Sequence, residues 1–163
     1  MKTPTKLIIL STALFLSTFI SAQPVPGQQA MEIALPALNG EILKLSSLKG
    51  KVVLLDFWAS WCGPCRVANK SLSKIYSKYK TKGFEIYGVS VDNNSKDWKK
   101  AVQKDKITWL QVNDFATGPA STAMKWNISS IPTSYLINKE GKLVGMDLQG
   151  ADLENAIKDL LAK

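Results

Sequence analysis

The chain predicts an α/β fold around a central, partly parallel sheet, and three observations point there. Val52-Val53-Leu54-Leu55-Asp56-Phe57 is apolar on both faces, as a strand covered on each side must be. The helix that follows carries Ala68, Leu72, Ile75 and Tyr79 on one stripe, with Lys70, Lys74 and Lys78 opposite. Phe84 to Val91 is a second strand, so strand, helix and strand make a right-handed βαβ crossover the default.

The other elements follow in chain order. Lys2 and Lys6 precede an apolar run from Leu7 to Ile20, and Ser21-Ala22 offers small residues for cleavage. That is the layout of a secretory signal peptide over residues 1–22, with an uncleaved membrane anchor as the alternative. Residues 23–31, rich in Pro, Gln and Gly, read as a flexible leader to a single domain over 32–163. Leu38-Asn39-Gly40-Glu41 predicts a two-residue type I′ hairpin turn, with Ile42 to Leu45 as the returning strand. Lys49-Gly50-Lys51 breaks the pattern before the central strand, and Pro64 fits the first turn of the helix after it. Asn94-Ser95 caps a helix that turns Trp98, Ala101 and Val102 inward. Trp109 to Val112 is a short strand, and Ala120 to Trp126 is a short helix. Ser134 to Ile137 and Lys142 to Leu148 form an antiparallel hairpin across Asn138-Lys139-Glu140-Gly141. Leu153, Ala156, Ile157, Leu160 and Leu161 give the last helix its apolar face.

Composition narrows the chemistry. The chain has 163 residues, 45% of them hydrophobic, which suits one folded domain with a full core. Its net charge of +8 lies largely in lysines on helix faces, and Arg66 is its one arginine. No nucleic-acid motif accompanies that charge, so a nucleic-acid partner is not expected. Two cysteines and no histidine fall short of a structural zinc site. Export would place the chain in an oxidising compartment, where a reactive dithiol stays reduced only if electrons are supplied.

The two cysteines stand in Cys62-Gly63-Pro64-Cys65, at a strand-to-helix junction. A pair so placed can exchange electrons with a protein disulfide through thiolate attack and a mixed disulfide. A purely structural disulfide is the alternative, although so short a loop stabilises least in the entropic account. Asp56 interrupts the apolar strand six residues before Cys62, where a charge is expensive without a purpose.

The run Phe57-Trp58-Ala59-Ser60-Trp61-Cys62-Gly63-Pro64-Cys65, together with Ile131-Pro132-Thr133, resembles the thioredoxin superfamily. The N-terminal hairpin, the signal segment and the stretch from about Asp92 to Val112 resemble its TlpA/ResA-like branch of exported thiol–disulfide oxidoreductases. The resemblance covers roughly residues 32–163. It implies a three-layer α/β/α fold with a central mixed sheet, an N-terminal β-hairpin extension and a βα insert. It also implies that Cys62 is the nucleophile and Cys65 the buried resolving thiol. Asp56 would accept the Cys65 proton, with its own pKa raised by burial. Trp61, Gly63, Pro64, Ile131 and Pro132 would contact substrate, with Pro132 in the cis form and Trp58 on the underside of the site. The expected partners are protein thiols and disulfides and a membrane-bound electron donor of the DsbD/CcdA type, met by a periplasmic monomer without cofactor or metal. Cytochrome c maturation is one destination for such a reductase.

Three residues depart from the pattern. Lys70 replaces a helix-kinking proline, Ala68 replaces a frequent glutamate, and Gly88 stands where thioredoxins place a lysine beside the buried acid. The competing functions are a disulfide oxidase or isomerase with the same cysteines, a redox-idle binding module, and a thiol peroxidase. Ser60-Trp61-Cys62 lacks the Thr-x-x-Cys setting of a peroxidase.

Overall fold

The computed structural model describes residues 24–163; the expected signal segment 1–22 lies outside the described residues. Among the described residues the strands and α-helices run β1 (Ala34–Pro36), β2 (Ile42–Lys44), β3 (Val52–Trp58), α1 (Gly63–Tyr79), β4 (Phe84–Ser90), α2 (Ser95–Lys104), β5 (Leu110–Asn113), α3 (Thr122–Lys125), β6 (Thr133–Ile137), β7 (Leu143–Met146) and α4 (Gly150–Ala162). The main sheet has the order β5-β4-β3-β6-β7. β3 is parallel to β4, and β4 to β5, while β6 and β7 run antiparallel. The sheet is therefore mixed, as the sequence predicts.

Period-two alternation along β3 divides the core between two faces. Val53, Leu55 and Phe57 join Tyr87, Val89, Trp126 and Tyr135, with Leu35 and Leu43 of the β1–β2 hairpin packed on them. Val52 and Leu54 meet Leu72 and Ile75 of α1 and Leu153 and Ile157 of α4. At the end of β3, Trp58 packs with Cys62, Cys65 and the α2 residues Trp98 and Ala101. That last contact fixes where the dithiol sits.

Two local expectations are corrected. The first hairpin does not use a type I′ turn, because Gly40 takes a positive φ of 86° and Asn39 does not. Gly40 N–H donates to the Ala37 carbonyl, and Ala37 N–H donates to Glu41 O, which is the pattern of a longer loop ending in a glycine bulge. Asn39 instead accepts from Glu41 N–H through its side chain. The leader, expected to be flexible over 23–31, also pairs. Gln29 bridges Lys142 in antiparallel sense, Gly27 N–H reaches Leu143 O at 2.7 Å, and Ala30 N–H reaches Gly141 O at 2.9 Å. The free edge of β7 supplies these partners, and polarity of composition gives no sign of it.

Candidate active site

The strand β3 ends at Trp58, and the four residues after it turn the chain into α1. Cys62 is the N-cap of α1, and its sulfur accepts from Cys65 N–H at 3.2 Å. The opening N–H groups of a helix, aligned with its dipole, favour negative charge at this position. Cys62 and Cys65 are joined by a disulfide of 2.02 Å. Cys65 is 1% exposed and Cys62 6% exposed, so Cys62 is the outer sulfur of the pair. Gly63 and Pro64, between them, are both exposed, and Pro64 lies in the first turn of α1.

Side chains placed by sequence in one site do come together. Trp61 is 69% exposed and forms the rim, whereas Trp58 is fully buried beneath the cysteines. The Ile131–Pro132 peptide is cis, as expected. Ile131 packs against the cluster that holds Cys62, Cys65 and Trp58, which brings the proline loop to the dithiol. No backbone hydrogen bond ties up Ile131 among the described residues. Pro64, Pro132 and Asp56 line one cleft of about 330 Å³ together with Ala68, Leu148 and Asp147.

Asp56 is 6% exposed and paired across the sheet with Gly88 on β4 and Ser134 on β6. Burial pushes its carboxyl up to about 7, and the nearby charge of Asp147 adds to the rise. No cation stands in the lining of its cleft, in line with glycine at position 88. Asp147 holds its place by two bonds to Ser134: its Oδ1 accepts from Ser134 N–H at 2.7 Å, and its own N–H donates to Ser134 O.

A polar scaffold absent from the sequence reading holds the active-site loop. Asp92, buried at the end of β4, accepts from Ser60 N–H at 2.9 Å, from Ser60 Oγ at 2.6 Å and from Ser90 Oγ at 2.7 Å. Arg66 in the first turns of α1 donates to Ser60 O at 3.0 Å and forms a two-point ion pair with Asp105. Burial pushes Asp105 up, but its bonds from Arg66 and Asn69 outweigh this and leave the carboxyl below its ordinary value. Arg66 is the chain's single arginine, which was the signal available for this clamp. Nothing local to the sequence of Asp92 or Asp105 names its partner.

Fold and dithiol together define a thioredoxin-fold redox protein. The chain belongs to the AhpC/TSA family, whose model it matches over residues 26–146. It is 34% identical to a thiol-disulfide oxidoreductase ResA of Bacillus cereus over 72% of this chain and 66% of the relative, just under two thirds of that relative's length. To ResA of Bacillus subtilis (strain 168) it is 31% identical, over 83% of this chain and 73% of the relative. The solved thioredoxin domain of a thiol-disulfide oxidoreductase from Bacteroides vulgatus superposes with a TM-score of 0.78 at 38% identity, covering 84% of this chain and 98% of that one. By class the chain is a thiol–disulfide oxidoreductase with Cys62 and Cys65 as its redox pair.

Proposed function

We propose that the protein is an exported protein-disulfide reductase working in the periplasm as a monomer. The observation that carries this reading is the stacking of an outer Cys62, at the mouth of α1, on a buried Cys65 beside the Ile131–Pro132 loop. In the reduced protein the Cys62 thiolate attacks one sulfur of a partner's disulfide, forming the mixed disulfide and expelling the other sulfur as a thiolate. The Asp56 carboxylate takes the proton of Cys65, and the Cys65 thiolate attacks Cys62 Sγ. The Cys62–Cys65 bond forms, the partner's second sulfur leaves, and protons from Asp56 and solvent complete its two thiols. The partner gains two electrons and the protein loses two.

Trp61, Gly63 and Pro64 form the exposed surface against which the partner's chain lies, and the unpaired backbone of Ile131 ahead of Pro132 supplies hydrogen bonds to an extended segment. A membrane-bound donor of the DsbD/CcdA type returns the electrons, and cytochrome c maturation is the pathway we assign. The Gly-Pro dipeptide between the cysteines supports the reducing direction, since it is also that of thioredoxin, at about −270 mV against about −120 mV for the oxidant DsbA. Cys65→Ser should freeze mixed disulfides on Cys62 in extracts of the native compartment, and the parent should reduce insulin. A redox titration near the DsbA value, with activity in refolding scrambled proteins instead, assigns the oxidase or isomerase role.

A further inference from the structure

The row of residues that crosses the sheet at Asp56 ends in an unpaired donor. Ser134, Asp56, Gly88 and Gln111 stand side by side on β6, β3, β4 and β5. Gln111 is 4% exposed, and its side chain lies back over Gly88 toward β3. A Cβ at Gly88 would fall 2.2 Å from Gln111 Nε2, so the amide occupies the space any side chain at 88 would fill. Its other end is fixed, because Trp58 Nε1–H donates to Gln111 Oε1 at 2.9 Å. An indole nitrogen can only donate, so the oxygen must face Trp58 and the NH₂ must face away from it. That NH₂ is buried and has no hydrogen-bond partner among the described residues. A buried amide donor without a partner is costly, which calls for an explanation.

Asp56 is the next residue in the row, one strand spacing of about 4.8 Å beyond Gly88. The titratable groups facing Asp56 are few. The loop after β7 presents Asp147, and α1 presents Ala68 and Leu72; β4 and β6 present Gly88 and Ser134, and the start of α4 presents Gly150. Lys70 and Lys74 are on the exposed side of α1. Gln111 is thus the side-chain donor that the row places toward the carboxylate.

We propose that Gln111 is a positioning residue of the dithiol centre, whose amide N–H, held over Gly88 by Trp58, receives the Asp56 carboxylate while it waits for the Cys65 proton. This deepens the exchange mechanism above and rests on it for its meaning. The donor steadies the ionised acid without adding charge, and gives the proton up to neither partner. The amide performs from β5 a task that a cation on β4 would otherwise perform, and glycine at 88 is the opening it needs.

The test is the titration of Asp56, followed by carboxyl ¹³C NMR on the oxidised protein, where the cysteines do not titrate. Gln111→Met keeps length and volume but loses the donor, and should raise the Asp56 midpoint by about one unit, a tenfold loss of ionised acid. In a Trp58→Phe background the same substitution should raise it less, because the indole that holds the amide in place is gone. No shift in the Trp58 parent overturns the proposal, because Gln111 then merely holds the indole. If the methionine variant does not fold, Gln111→Leu removes the donor with a smaller uncharged side chain. A raised Asp56 midpoint supports the proposal there, and an unchanged one overturns it. This readout needs no substrate, so a failed Cys65→Ser trap beside a shifted midpoint rejects the reductase reading and leaves the Gln111–Asp56 coupling standing.

Discussion

Asp56 makes the folded state sensitive to pH through a single side chain. In the unfolded chain it ionises near its ordinary 3.8, and in the fold burial and Asp147 hold it to about 7. Between those values the unfolded chain binds fewer protons than the folded one, so stability falls as pH rises, and the loss is complete above about pH 7. The shift corresponds to roughly 4 kcal/mol at full extent. Asp56→Asn removes this dependence. In urea denaturation of the oxidised protein, its stability relative to the parent should grow by up to that amount between pH 4 and pH 8. A difference that stays constant across the range would contradict a buried acid at position 56. Asp147→Asn should lower the Asp56 midpoint, since its charge is the second cause of the rise.

Between the elements, the turn from β3 to α1 depends on residues just past the ends of β4 and α2. Asp92 supplies the acceptor for three donors, two of them on Ser60, in a buried setting. Asp92→Ala leaves those donors without their charged partner and should cost roughly 3 kcal/mol in urea midpoint experiments. Ser60→Ala loses one of the three and should cost about 1 kcal/mol; an Asp92→Ala variant as stable as the parent would mean that Asp92 does not hold the loop. The sequence shows this region unevenly, for a physical reason. Asn94 is legible as a cap because its acceptor meets Lys96 N–H two residues on. Cys62, Pro64 and Pro132 are legible because their chemistry or backbone restriction is written in the residue type. The Arg66–Asp105 pair spans 39 positions and the Trp58–Gln111 bond 53, so neither follows from spacing. Gln111 nevertheless gives the same kind of signal as Asp56, a polar residue set between apolar neighbours in a strand. The β7 pairing of the leader was hidden because backbone groups, which carry no sequence signature, make it.

On the scale of the whole molecule, the N-terminal part of the chain occupies both borders of the five-stranded sheet. Ala37 bridges Val112 on β5, and Gln29 bridges Lys142 at the head of β7. Uncovered strand edges invite pairing with other chains. A chain beginning at Glu32 should therefore be less stable by about 1–3 kcal/mol, from the loss of some three backbone bonds and of Ala30 packing. Sedimentation should show it associating as concentration rises, and a truncated chain that stays monomeric at the parent's stability would deny the leader any such role. The position of this fastening also sets a polarity. Gly27 and Ala30 are pinned to Leu143 and Gly141, beside the end of the sheet where Ile137 meets Val53 and β3 begins. Cys62 stands past the other end of β3, on the order of 20 Å away for a seven-residue strand. The leader is thus fastened at one end of β3, and the dithiol stands past the other.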